Sequence, residues 1–505
     1  MKQVMKRRQL LKNFSIGSAG LLLPEFVFSQ GIEKSLNELK IPQLLPGVRK
    51  DRQLHYNLAA QSGVSKFLPD LTTPTIGING DFLGPTLHFK NGDDIAMHIQ
   101  NNLNEETTLH WHGLHVPAKA DGGPAQVIGV GKSWDPSFKV MQKAGTFWYH
   151  SHLLGKTGEQ VYRGLAGLII IEDDESAAIQ LPSEYGVDDI PLIVQDRRFN
   201  QDGSFRYAGM GMDIMSGLFG DTILVNGTLS PVFTPTTSKV RFRLLNASNA
   251  RTYSFAFDDG RKFQFVASDG GLLPKSVELQ SLELAPAERA EIVVDFSDGK
   301  AVNLISLPMA PGSQFAPRGM MGNMRAMNNQ AFNILALQPQ SNLEASQSPA
   351  TNLTSFKRMQ ESEANRTRQL TLSMSMGMGM RGGRGRGGGN MMSGMFQING
   401  EAMDMNVINQ RVSVGDTEIW EITNDSMMMH PFHIHHGQFQ ILDRDGRPPA
   451  PQEMGFKDTV KVGPGQTVRF IMKFEDFSDA ETAYMYHCHI LEHEDNGMMG
   501  QFTVS

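Results

Sequence analysis

Four histidine pairs of the form His-x-His stand in this chain. They are His110 and His112 in TLHWHGLH, His150 and His152 in WYHSH, His433 and His435 in HPFHIHH, and His487 and His489 in HCHILEH. On an extended strand, residues i and i+2 point to the same face, so each pair sends two imidazoles one way. Eight converging imidazoles can hold several metal ions. Eight purely structural histidines would instead need eight sets of buried hydrogen-bond partners, a heavy demand.

The last pair brackets Cys488, the one cysteine in 505 residues, which has no partner for a disulfide within the chain. If His487 and His489 face one side of a strand, Cys488 faces the other. There its thiolate can bind a second kind of metal centre, with His430, His493 and Met498 as partners. Two His, one Cys and a distant Met are the ligand set of a blue-copper electron-transfer site. Zinc, the competing metal, favours several Cys or a closed three- or four-ligand set and does not change oxidation state. Cys488 is joined through the backbone to both neighbouring histidines, which makes a covalent electron path between the two centres.

The elements that must position these residues read as strands. Three stretches repeat one pattern: IGINGDFLGPTLHF at 76–89, ILVNGTLSPVFTPT at 223–236 and FQINGEAMDMNVIN at 396–409. Each is an apolar run ending in an Asn-Gly turn signal, and each is followed by alternating segments: DDIAMHIQNN, KVRFRLLNAS and TEIWEITND. Repeats this widely spaced do not make a solenoid; they fit three related β-sandwich domains at about 41–175, 188–340 and 366–505. The joins are DDESAAIQLPSEYGVDD and a polar stretch from Gln338 to Arg366. All fifteen histidines fall between His55 and His152 or between His430 and His493. A single site built from both groups lies where the first domain meets the third, and the middle domain offers no metal ligand.

Composition sets outer bounds. Forty per cent hydrophobic residues suffice for several cores, and a net charge of −7 gives no basic footprint for nucleic acid. The N-terminus, MKQVMKRRQLLKNFSIGSAGLLLPEFVFSQ, has a basic region ending in Arg7-Arg8 and then a short apolar stretch interrupted by Gly17, Gly20 and Pro24. It reads as a twin-arginine signal peptide over 1–29. No other segment is expected to span a membrane, so a soluble, exported and periplasmic protein is expected.

These motifs together resemble those of the multicopper oxidases, over nearly the whole chain beyond the signal and with all four copper motifs in order. The resemblance implies an all-β fold of three cupredoxin-like, Greek-key domains and four copper ions per chain. It implies a type 1 copper on His430, Cys488, His493 and Met498, where Met498 rather than Met499 keeps the family's interval from the cysteine. It further implies a type 2 copper on His110 and His433, and a type 3 pair on His112, His150, His152, His435, His487 and His489. The type 2 and type 3 ions together would reduce dioxygen to water with four electrons. Asp121 and Glu494 match positions where the family places acids near the cluster, and a carboxylate there can move protons. His115 and His436 fall outside the pattern and read as residues behind the ligands or at the surface. His55, His88 and His98 read as ordinary strand residues.

The reductant is suggested by methionine. Seven of the 23 residues in SMSMGMGMRGGRGRGGGNMMSGM (373–395) are Met, others fall in 309–327, and Met427, Met428 and Met429 precede His430. Thioethers are soft ligands that prefer Cu(I). The RGG-like run would otherwise suggest nucleic acid, but export, net acidity and the lack of interleaved aromatics speak against it. Such segments resemble those of periplasmic cuprous oxidases of the copper-efflux type. There two Met and two Asp bind the substrate Cu(I). Met374 and Met428 match the methionines, while Gly379 and Ser426 occupy the acids' places with Asp425 adjacent. The expectation is a monomeric cuprous oxidase serving copper tolerance. A laccase-like oxidase of phenols or bilirubin using a small organic reductant is the alternative. A metal-free or copper-binding cell-division scaffold is the second.

Overall fold

The computed structural model describes residues 36–207, 211–309, 331–347, 351–374 and 394–505. The signal peptide expected over 1–29 and most of the methionine segments lie outside the described residues. Six sheets, two for each third of the chain, build three β-sandwiches. The alternation read from the sequence is the alternation that buries side chains. In the strand Asp94–Asn101, Ile95, Met97, Ile99 and Asn101 point inward while the residues between them are partly or fully exposed. Each sandwich closes on its own core, around Trp111 and Phe147 in the first, Phe242 and Phe255 in the second, and Trp420 and Phe470 in the third.

The three Asn-Gly signals do the same work three times. Asn79, Asn226 and Asn399 take left-handed φ values of 54°, 50° and 56°, a region open to Asn at low cost. In each case the side-chain Oδ1 accepts from a backbone N–H of the neighbouring strand: Ala59 at 2.7 Å, Ile193 at 2.8 Å and Thr371 at 2.8 Å. The strands so held, Gln53–Ser65, Asp189–Arg197 and Arg366–Met374, each run parallel to the strand that follows the turn signal, Asp94–Asn101, Lys239–Asn246 and Thr417–Asn424. A short strand near the start of the described chain, Asn37–Glu38, leaves the first sandwich and pairs with Pro231–Phe233 of the second.

Two registers matter most for the site. The strand His110–His112 lies antiparallel to Gly145–His150, with His110 opposite His150 and His112 opposite Trp148. The strand His430–Ile434 lies antiparallel to Asp479–Cys488, with Phe432 opposite Cys488 and His433 opposite His487. Each register brings two histidine motifs together across a sheet. The packing of the first sandwich on the third then brings the two sheets' histidines face to face.

Candidate metal centres

The smaller centre is built at the end of the strand Asp479–Cys488. Cys488 Sγ lies 3.3 Å from His430 Nδ1 and 3.8 Å from His493 Nδ1, and those two nitrogens are 3.3 Å apart. All three residues are fully buried. The short helix Leu491–Asp495 turns the chain back so that His493 reaches the cysteine. Met498 is fully buried in the same core; its N–H donates to His493 O at 2.9 Å, and its carbonyl accepts from Cys488 N–H at 3.0 Å. Met499, by contrast, belongs to the next strand and pairs with His487. Each imidazole is anchored by its outer nitrogen: His493 Nε2 meets Met215 O at 3.3 Å and His430 Nε2 meets Ser426 Oγ at 2.8 Å. A carbonyl only accepts, so His493 carries its proton on Nε2 and turns a bare Nδ1 lone pair to the sulfur. Burial pushes the Cys488 thiol up and pulls His430 down to about 3. A bound cation beside the sulfur would favour the thiolate over the thiol.

The larger centre gathers the other eight histidines between the first and third sandwiches. Here too the outer nitrogens are tied. Nδ1 donates to a backbone carbonyl in His110 (Asp121 O, 2.8 Å), His150 (Ser151 O, 2.7 Å), His433 (Asp458 O, 2.7 Å) and His487 (Cys488 O, 3.1 Å). In all four, therefore, Nε2 is a bare lone pair. Those lone pairs face other imidazoles: His487 Nε2 is 3.3 Å from His152 Nε2 and 3.4 Å from His435 Nε2, and His150 Nε2 is 3.4 Å from His112 Nδ1. Among the described residues, Nε2 of His110 and of His433 meets no hydrogen-bond partner, nor does either ring nitrogen of His489. The His489 ring lies 5.0 Å from that of His112 and 5.3 Å from that of His150. Burial first, and neighbouring imidazoles next, hold His112, His150, His152, His433, His435 and His489 well below the usual histidine range, so they are neutral. Converging, neutral, unprotonated nitrogens repel one another unless cations sit among them. The donor set fits copper, which imidazole suits.

Two buried carboxylates border the cluster. Asp121 Oδ2 accepts from His435 Nδ1 at 2.7 Å, and its Oδ1 has no hydrogen-bond partner among the described residues. Glu494 sets Oε1 3.2 Å from His152 Nδ1 and Oε2 3.1 Å from His487 Nδ1, although neither contact has hydrogen-bond geometry.

Comparison with known proteins bears directly on this arrangement. Three family models, each described as multicopper oxidase, match residues 60–176, 182–311 and 384–505. Multicopper oxidase mco of Staphylococcus aureus is 38% identical over 476 residues, 93% of each chain. This chain belongs to the multicopper oxidase family. Cell division protein FtsP of Escherichia coli (strain K12) is 33% identical over 506 residues, 99% of each chain. The solved structure of a laccase-like multi-copper oxidase, CueO, from Ochrobactrum sp. superposes with a TM-score of 0.82 at 33% identity, covering 92% of this chain and 100% of that one. Membership makes the protein a copper oxidoreductase that uses dioxygen and a reductant, on three cupredoxin-like domains.

One difference from the sequence expectations lies in the strand ends. Only the pair His110 and His112 lies wholly within a strand. In the other three pairs the second histidine follows the strand's last residue, yet ring centroids within a pair stay 5.0 to 5.9 Å apart. Of the two places expected for His436, behind the ligands or at the surface, the structure shows the buried one: it is fully buried, with φ 82°, against Phe474 and Tyr484. His115 beside it is half-buried and bonds Asp476 at 3.2 Å. His55, His88 and His98 sit in strands, the last two paired with Glu172 and Asp135. Of the methionine candidates, Met428 is buried and Met374 half-buried, while Asp425 is exposed and donates its N–H to Leu372 O at 2.9 Å. Four contributors had no signal strong enough to find from sequence: Met215, Asp458, Arg289 and Glu492. The last anchors the helix that carries His493, accepting from Leu218 N and Asn249 Nδ2 at 3.0 and 2.7 Å.

Proposed function

We propose that this protein is an exported cuprous oxidase with four coppers. His430, Cys488, His493 and Met498 hold the type 1 ion, and His110 and His433 the type 2 ion. His112, His150, His152, His435, His487 and His489 hold the type 3 pair. The coppers supply one-electron uptake from Cu(I) and four-electron reduction of dioxygen to water. The chain's own residues do the rest. Cys488 links the small centre to the large one through single peptide bonds to His487 and His489. Asp121 and Glu494 stand where they deliver protons, each within 3.2 Å of a ligand histidine's outer nitrogen. The observation that carries this reading is the set of bare imidazole nitrogens turned inward beside the His430, Cys488 and His493 triangle.

Cu(I) as the reductant is supported by methionine near the type 1 site. Leu372 pairs with Asn424, so the strand ending at Met374 leaves the sheet beside Asp425 and Met428. The domain limits given above, periplasmic delivery by the twin-arginine route and a monomeric state belong to the same proposal. No helix among the described residues is long and apolar enough to cross a membrane. A laccase-like reading has the Ochrobactrum relative behind it, and a scaffold reading has the cell division relative; the complete ligand set argues against the scaffold.

One deletion separates the two oxidases. Met374 pairs with Phe396 across an antiparallel ladder, so deleting residues 375–393 leaves Gly394 and Met395 as a two-residue turn and does not open the sheet. Cu(I) oxidation is expected to fall at least about 10-fold, an interaction of roughly 1.4 kcal/mol or more, with phenol oxidation unchanged or raised. Undiminished Cu(I) oxidation would remove the methionine segment from the substrate site.

A further inference from the structure

We propose that the middle domain, which has no histidine, nevertheless supplies a positioning residue to the copper cluster. Arg289 clamps Asp458, and Asp458 fixes His112 so that Nδ1 rather than Nε2 faces the other ligands. The proposal rests on the copper reading above.

Arg289 opens the middle-domain strand Arg289–Asp295 and is 1% exposed. Its guanidinium grips Asp458 with both forks, Nη1 to Oδ1 at 2.7 Å and Nη2 to Oδ2 at 2.6 Å. Its remaining donors go to backbone carbonyls: Nε to Thr146 O at 3.1 Å, Nη1 to Ala287 O at 3.1 Å and Nη2 to Asp269 O at 2.9 Å. One side chain therefore ties the first, second and third domains together at a single point. Bidentate pairing fixes the carboxylate plane as well as its charge, which a lysine cannot do.

Asp458 passes that order on to two ligands. Its Oδ1 lies 3.1 Å from His112 Nε2 and also accepts from Thr459 Oγ1 at 3.0 Å; its backbone carbonyl accepts from His433 Nδ1 at 2.7 Å. The rings of His112 and His433 stack with centroids 3.7 Å apart and planes 15° apart. A carboxylate held by arginine accepts only, so His112 carries its proton on Nε2 and bares Nδ1, the nitrogen 3.4 Å from His150 Nε2. Among the cluster histidines whose outer nitrogen has a hydrogen-bond partner, His112 alone turns Nδ1 inward, and its outer partner is the carboxylate that the middle domain's Arg289 holds. The packing leaves no slack. Gly113, at φ 85°, has no room for a Cβ, which would collide with Asp458 Oδ2 and come within 3.0 Å of Arg289 Nη2. Outer partners of metal-bound histidine fix its tautomer and ring angle, and their loss typically costs about 10- to 100-fold in metal affinity.

The test compares wild type, Asp458→Asn and Arg289→Lys, all purified after copper loading. The first change is isosteric and the second keeps the positive charge, so both are small. Cluster copper affinity is read by chelator competition, the type 2 signal by electron paramagnetic resonance, and the type 1 centre by its blue absorption. Thermal midpoint is recorded alongside. We expect both variants to keep the blue band, whose ligands are untouched. Both should bind cluster copper about 10- to 100-fold more weakly, with an altered type 2 signal. Unchanged cluster affinity and signal, with only a lowered midpoint, would make the pair a structural clamp and overturn the inference. Should Arg289→Lys behave so while Asp458→Asn does not, the middle domain's part is overturned. A wild type that takes up no copper would instead sink the functional reading on which this rests.

Discussion

Replacing Cys488 with serine is expected to abolish the blue absorption and to cut oxidase turnover by on the order of 1,000-fold, some 4 kcal/mol of lost rate. Serine is nearly isosteric at this fully buried position, so the fold survives. What disappears is the soft anionic ligand and, with it, the one residue covalently shared by the two centres. The eight-histidine cluster does not use the sulfur, so it should still load and leave about three coppers per chain. A variant that remains blue would show that the type 1 ligand is another group. One that loses all its copper would show that the centres are not independent.

The second large effect belongs to Glu494. Changing it to glutamine keeps the volume of a fully buried side chain but removes a group that can carry a proton. Reoxidation of the reduced enzyme by dioxygen is expected to slow about 100-fold or more, the range for a general acid–base group. The blue band and copper content should stay at wild-type values, because the outer nitrogens of His152 and His487 keep a side chain of the same shape beside them. Stopped-flow reoxidation checks this; an unchanged rate would remove Glu494 from proton delivery and leave Asp121, whose Oδ1 has no partner among the described residues, as the remaining candidate.

Much of this architecture is legible in the sequence because it is repetitive. Three Asn-Gly turns after apolar runs announce three equivalent strand pairs, and the asparagines do hold the same ladder position each time. The His-x-His spacing likewise announces convergent imidazoles, since a strand's period of two is a local property. The period misleads only at strand ends, where His152, His435 and His489 follow the last paired residue and the sandwich contact sets their direction. The supporting residues are another matter. Arg289 is separated from Asp458 by 169 positions and meets it only through the packing of two domains. Nothing periodic marks either residue, and a Lys-Asp-Thr run before a strand reads as an ordinary edge. Met215 acts through its backbone carbonyl, so its side-chain type carries no information about the role. Glu492 reads as a surface acid in LEHED until the helix is seen buried against the middle domain.

The central claim is that the converging nitrogens and Cys488 hold copper, and copper per chain measured together with the absorption spectrum tests it most directly. Protein purified from copper-replete cells is predicted to carry about four ions per chain with the intense blue band of a copper–thiolate bond. A protein that stays colourless with less than about one copper per chain after loading would contradict the account.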